Sequence, residues 1–295
     1  MVIETTDFDI SAIAESGQCF RITKAPDSDK KTYDVIYRDK YVRVSEEGYD
    51  EGTGLYKISF DCEKNEYENV WRHYFDMDTD YAHIVRMADK NDSFLNNAIT
   101  YGRGIRMLNQ DPFEMLISFI ISQRKSIPAI RTSIERLSRL CGKRIDTKQG
   151  EYYSFPEAAS IAALSEGEMA SCGLGYRSAY IRRAATMQAF GDMNVYEWTR
   201  LSDGELKEKL MSLYGVGIKV ADCVMLFGYH RLDAFPEDVW IKRAMAEAYP
   251  EGFPFDRYKG CSGIRQPGQE NASCNCCKQQ NLGFYRRCHF FVCIE

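Results

Sequence analysis

The chain has 295 residues, 44% of them hydrophobic, with a mean hydropathy of -0.42 and a formal net charge of -5. That length holds two domains with real cores, and no apolar run is long enough to span a bilayer. The charge excludes a strongly basic coat for nucleic acid but leaves room for a local patch, because binding depends on where the charges sit.

In chain order, the first ten residues, MVIETTDFDI, are acidic and lack a signal peptide's basic start and apolar core. An intracellular, cytoplasmic location is therefore expected. From Lys31 to Val44 the sequence is rich in Tyr and Val and alternates in places, and LYKISF at Leu55–Phe60 repeats that character after a glycine-rich turn. This predicts an antiparallel sheet with a few helices in the first hundred residues.

From Asp111 onward the period becomes helical. Leu116, Ile117, Ile120 and Ile121 form one apolar face, and Ile127, Ile130, Ile134 and Leu137 another. Pro156 begins a short alanine-rich helix, and Ser202 with Glu205 makes a capping box ahead of Leu206, Leu210 and Leu213. Between them, Gly173 and Gly175 mark a tight loop before Tyr176 and Arg177. Taken alone, those two read as a core tyrosine and a solvated arginine.

The segment Leu213–Asp238 reads LYGVGIKVADCVMLFGYHRLDAFPED. Gly215 and Gly217 flank Val216 in a turn where a polyanion could approach bare backbone. Lys219 falls in the first turn of the following helix, expected from about Val220 to Tyr229. The positive end of the helix dipole, and a buried pocket around it, would favour the free amine. Such a lysine suits Schiff-base chemistry. That helix climbs roughly 15 Å at about 1.5 Å per residue, and the extended stretch after it is long enough to bring Asp238 back beside the lysine. Asp238 also heads a helix in which Val239, Ala246 and Tyr249 keep helical spacing, so it is a favoured N-cap. The plainer alternative is that Asp238 only caps and Lys219 only meets a phosphate.

Cysteine usage breaks near the end. Cys19, Cys62, Cys141, Cys172 and Cys223 are scattered singly, as suits reduced thiols, whereas six more crowd the tail after Lys259. There Cys274 and Cys277 have CxxC spacing, with Cys288, His289 and Cys293 downstream. A zinc site is conceivable on that spacing, a four-cysteine iron-sulfur cluster does not match it, and a tail with free thiols is the default. No metal is expected.

Five blocks, in order, resemble the helix-hairpin-helix (HhH-GPD) DNA glycosylases, and within them the 8-oxoguanine DNA glycosylase branch. They are ESGQCFR at Glu15–Arg21, YFDMDTDY at Tyr74–Tyr81, IRMLNQDPFEMLISFIIS at Ile105–Ser122, GLGYR at Gly173–Arg177, and the GVGIK hairpin. The resemblance implies an α+β fold: an amino-terminal antiparallel β domain of the TBP-like kind over residues 1–104, a mostly helical HhH-GPD domain over 105–260, and an atypical Cys-rich tail over 261–295.

It also implies a bifunctional glycosylase and AP lyase that extrudes oxidised guanine from double-stranded DNA. Lys219 would attack the sugar C1′ and Asp238 would stabilise the developing positive charge. The carbonyl of Gly17 would accept the N7 hydrogen that distinguishes 8-oxoguanine from guanine, with Gln18 and Phe20 supporting that loop. Cys223, one turn beyond Lys219, would pair with the ammonium against the base, or else be a small buried hydrophobe. Phe227 would line the pocket, and Trp240, standing where certain relatives have a histidine, would line it or meet a phosphate. Tyr176 would wedge the stack, while Arg177 meets the orphaned base and Gly215, Val216, Gly217 and Val220 meet phosphate. The hairpin carbonyls would hold a monovalent cation, no other cofactor is required, and a monomer is expected.

Three departures stand out. Arg124 replaces the first of a run of asparagines, Ala129 replaces a second opposite-base arginine, and Gln266 is followed by Pro267 where the family continues a helix to an aromatic. The pocket wall is built differently there, or the tail is altered. Two other readings stay open: a glycosylase of the same superfamily for alkylated purines, and a DNA-binding scaffold without activity.

Overall fold

The structure is a computed structural model that describes residues 1–28, 30–86, 88–237 and 239–252. Five antiparallel strands form the amino-terminal sheet in the order β1-β5-β4-β3-β2. They are β1 (Val2–Thr5), β2 (Ile22–Lys24), β3 (Thr32–Tyr37), β4 (Lys40–Asp50) and β5 (Leu55–Phe60). The Tyr- and Val-rich stretch is thus a hairpin, turned at Arg38 and Asp39, with Arg38 in the left-handed region at φ 54°.

Val35, Val42, Val44, Ile58 and Phe60 turn inward and meet Ile10 and Ile13 of α1 (Ile10–Glu15). Asp9 caps that helix, its Oδ1 accepting from the N–H of Ser11 at 2.8 Å and of Ala12 at 3.0 Å. The short helices α2 (Lys64–Glu66) and α3 (Arg72–Tyr74), joined by a wider turn over Tyr67–Trp71, close this core with Trp71, Tyr74 and Phe75.

The second part is mainly helical. It comprises α4 (Tyr81–Arg86), α5 (Ser93–Tyr101), α6 (Pro112–Ser122), α7 (Ile127–Cys141), α8 (Ala158–Ala162) and α9 (Glu166–Ser171), then α10 (Arg177–Phe190), α11 (Asp203–Met211), α12 (Ile218–Gly228) and α13 (Val239–Ala248). A hairpin of β6 (Arg144–Thr147) and β7 (Gly150–Tyr153), which periodicity did not predict, interrupts it.

Helix α6 sits at the centre, packed by α7, α10 and α12. The sequence predicts one apolar face for it, but every residue from Pro112 to Ile121 is buried, because helices cover it on several sides. Ile130, Ile134 and Leu137 of α7 point inward as predicted, while Ile127 is 41% exposed. Helix α8 starts two residues after Pro156, and the Ser202–Glu205 capping box forms as read. Among the described side chains of α13 Ile241 is buried, whereas Val239 and Ala246 are exposed and Tyr249, just past the helix, is half-buried against Asp92.

The two cores are stitched by residues 105–110. Ile105 and Met107 belong to the helical core and Leu108 to the sheet core. Arg106 donates to the carbonyls of Thr6, Asp7 and Asp76. A guanidinium satisfied by three carbonyls fixes this crossing more tightly than apolar contact alone would.

Candidate active site

A cavity of about 210 Å³ opens between the end of α1 and helices α6, α7 and α12. Lys219, Cys223 and Phe227 all line it from α12. Spaced four residues apart, they occupy one face of that helix. Cys223 and Phe227 are buried, but Lys219 is exposed, so the buried setting expected for it is not what the fold provides: its position in the first turn leaves it at the mouth.

Opposite, Gly17 follows the last turn of α1 with φ of 76°, a left-handed conformation that a side chain would strain. A Cβ there would meet nothing within 4 Å, so backbone geometry rather than crowding is what selects glycine. Gln18 holds the loop in place. Its Nε2 donates to Ser16 Oγ at 3.0 Å and to the Arg106 carbonyl at 2.9 Å, and its Oε1 accepts from Leu108 N–H at 2.9 Å. With all its polar atoms satisfied and no exposure, it is a clamp.

The remaining wall is aromatic. Phe119 stacks on Phe227 at 5.4 Å with planes 19° apart, and Phe20 meets Phe119 edge-on at 5.6 Å. A flat apolar slot with a few convergent polar groups is the surface a planar base requires. A second hollow, of about 350 Å³ beside Asp92, Phe94 and Tyr249, has neither lysine nor cysteine among its lining residues.

The hairpin lies at the start of α12. Gly215 has φ of 85°, and a Cβ there would fall 2.2 Å from the Tyr180 ring. Crowding against Tyr180, together with that left-handed φ, therefore demands glycine here. Gly217 has φ of -96°, outside the left-handed region, and precedes α12 as its N-cap. The first bond within the helix runs from Ala221 N–H to the Gly217 carbonyl at 2.9 Å. The N–H groups of Ile218, Lys219 and Val220 thus lack partners one turn back, which makes this end attractive to an anion. The Val216 and Val220 side chains are each only 7% exposed, so any contact from them with a phosphate is through backbone.

In the loop before α10, Gly173 (φ 71°) and Gly175 (φ 58°) both take left-handed conformations and leave Tyr176 51% exposed. Arg177 is turned inward instead of facing outward. It is 6% exposed and donates to the Gln123 carbonyl through Nε at 2.8 Å and through Nη2, and to the Leu174 carbonyl at 3.2 Å. The Gln123 and Leu174 carbonyls thus hold the guanidinium to which the resemblance assigns the orphaned base. Arg124 is exposed at φ 51°, an unusual conformation for an arginine.

Asp238, Gln266 and the six tail cysteines lie outside the described residues, as does the side chain of Trp240 on α13. Phe235 and Pro236, just ahead of Asp238, line the cavity. Sequence reasoning missed Phe119, Lys125 and Ile127 as cavity residues. Ile127 reads as core by periodicity, and Phe119 is hidden within a uniformly apolar helix.

Residues 1–116 match the family model "8-oxoguanine DNA glycosylase, N-terminal domain", and residues 117–251 match "HhH-GPD superfamily base excision DNA repair protein". A probable N-glycosylase/DNA lyase of Methanothermobacter thermautotrophicus is 34% identical over 197 residues, covering 60% of this chain and 61% of the archaeal protein. The N-glycosylase/DNA lyase of Saccharomyces cerevisiae is 35% identical over 159 residues, covering 50% of this chain and 42% of the yeast protein. The chain therefore matches less than two thirds of these relatives' lengths.

Among solved structures, the 8-oxoguanine glycosylase/lyase of Clostridium acetobutylicum, in complex with double-stranded DNA containing cytosine opposite 8-oxoguanine, superposes with a TM-score of 0.79 at 30% identity, covering 99% of this chain and 96% of that one. MBOgg1 in complex with a low-affinity DNA ligand gives a TM-score of 0.81 at 32% identity, covering 99% and 94%. A 3-methyladenine DNA glycosylase from Archaeoglobus fulgidus, at 18% identity and a TM-score of 0.66, shares the fold. By blocks, fold and coverage, the chain belongs to the 8-oxoguanine DNA glycosylase/lyase family of the HhH-GPD superfamily.

Proposed function

We propose that this protein is a bifunctional DNA glycosylase and AP lyase that removes oxidised guanine from duplex DNA. The observation that carries this reading is the stripe of Lys219, Cys223 and Phe227 facing Gly17 across an aromatic slot, beside a helix start suited to a phosphate. A base inside the duplex is out of reach, so the nucleotide must swing out and enter that slot, with Tyr176 filling the gap.

Lys219 then attacks C1′. A nitrogen–carbon bond forms and the bond to the base breaks with its electron pair going to the base, while the nitrogen gives up a proton; the C1′–O4′ bond then breaks with its pair going to O4′, which is protonated to a hydroxyl, leaving a protonated imine to the opened sugar. Removal of a C2′ proton from that imine then forms the C2′–C3′ double bond and breaks the C3′–O bond, expelling the 3′ phosphate and nicking the strand. Asp238 accepts the proton from the lysine and balances positive charge on the sugar. The Gly17 carbonyl reads the N7 hydrogen of the oxidised base, and Cys223, Gln266 and Trp240 complete base recognition in the same reading. Arg124 faces the orphaned strand, and Gly215, Val216, Gly217 and Val220 offer backbone to phosphate.

Leu213 O accepts from Val216 N–H at 3.1 Å and Gly215 O from Gln123 Nε2 at 3.0 Å. Each carbonyl has a second lone pair, so the turn has the donor chemistry for a monovalent cation that would stiffen the hairpin. Among the described residues no helix is long and apolar enough to cross a membrane; an intracellular, DNA-associated enzyme acting as a monomer is part of the same proposal.

The test is release of base and strand nicking from duplexes containing 8-oxoguanine or an alkylated purine. Cleavage of the oxidised substrate supports the reading. Cleavage of the alkylated one alone would favour the alkyl-purine glycosylase, and tight binding with no cleavage of either would favour the scaffold.

A further inference from the structure

Lys125 leaves the turn after α6 and crosses to the loop that carries Tyr176. Its Nζ donates to the Gly173 carbonyl at 2.7 Å and to Ser133 Oγ on α7, while its side chain also lines the cavity. Burial, together with the nearby Arg177 and Arg136, holds its ammonium below the ordinary lysine range. Two residues earlier, Gln123 accepts from Arg177 on its carbonyl and donates from its side chain to the Gly215 carbonyl at 3.0 Å. Residues 123–125 are therefore where the cavity, the loop of Tyr176 and the hairpin meet. That loop is pinned at both ends, Gly173 by Lys125 and Arg177 by Gln123.

We propose that Lys125 is a positioning residue for base extrusion, which holds the Gly173–Tyr176 loop against the cavity rim so that the wedge is set where the emptied stack must be filled. Leu174 is buried in the core, whereas the tip at Tyr176 is half exposed and follows two left-handed glycines, so the tip is the part of the loop able to swing. A charged donor on its carbonyl restricts that swing more strongly than a neutral one. The inference rests on the functional reading above and deepens it by naming a residue for the extrusion step.

Single-turnover excision from an 8-oxoguanine duplex and borohydride trapping on a duplex with a preformed abasic site separate the steps, since an abasic nucleotide needs far less work to extrude. With Lys125→Met, excision should fall on the order of tenfold or more, while abasic trapping stays within roughly twofold of wild type. Lys125→Arg, which keeps a charged donor, should restore much of the loss. Ser133→Ala, which removes one acceptor, should show the same split more weakly and decides the matter should Lys125→Met fail to fold. Equal losses on both substrates, or undiminished excision, would overturn the proposal. A wild-type protein inert on both duplexes would overturn the functional reading beneath it, and is seen before any variant is compared.

Discussion

Glu114 lies in the first turn of α6, the helix that carries Phe119 and Ser122 into the cavity, and its carboxyl is buried. Burial raises its pKa from 4.5 to about 7; Arg21 opposes that rise, Asp111 adds to it, and Arg38 opposes it weakly. Below pH 4.5 the carboxyl is protonated in both folded and unfolded chains and costs nothing. Between 4.5 and about 7 the unfolded chain ionises while the native protein keeps its proton, so native stability is lost as pH rises through that window. At about 1.4 kcal/mol per pH unit the full loss is roughly 3 kcal/mol, constant above neutrality.

Glu114→Gln keeps the shape and removes the ionisation. Its stability relative to wild type should therefore rise between pH 5 and pH 8 by about 2–3 kcal/mol, read as denaturant midpoints at the two pH values. Parallel curves with a constant gap would refute the reasoning, because a carboxyl that ionises normally in the native protein gives no such divergence.

Arg124 sits at φ 51°, and asparagine tolerates that conformation better. Arg124→Asn should raise the denaturant midpoint by an amount worth about 0.5–1 kcal/mol, and a fall would contradict the strain. Gly215→Ala combines a left-handed φ of 85° with a Cβ 2.2 Å from the Tyr180 ring. It should cost roughly 1–3 kcal/mol and weaken duplex binding together with stability, and a variant as stable as wild type would show that the Tyr180 contact does not govern the turn.

Much of the fold is legible because local chemistry and tertiary role agree. The β3–β4 hairpin follows from the Tyr and Val alternation, α11 starts at its Ser202–Glu205 box, and α12 starts within two residues of the position read from the GVGIK turn. The misses occur where the third dimension decides. Nothing in the spacing of α6 says that helices cover several of its sides, and nothing in GLGYR says that the Gln123 carbonyl and the segment's own Leu174 carbonyl capture Arg177. The cavity joins Gly17, Phe119, Lys125 and Lys219, and no local pattern links residues so far apart in the chain. Lys125 in particular reads as one more solvated lysine until its ammonium is found on Gly173.

The central claim is that Lys219 is the nucleophile. Incubating the protein with an 8-oxoguanine duplex under borohydride should leave protein and DNA covalently joined, and Lys219→Gln should abolish that adduct while retaining most of the duplex affinity. An undiminished adduct from Lys219→Gln, or excision by the wild type with no trappable intermediate, would contradict it.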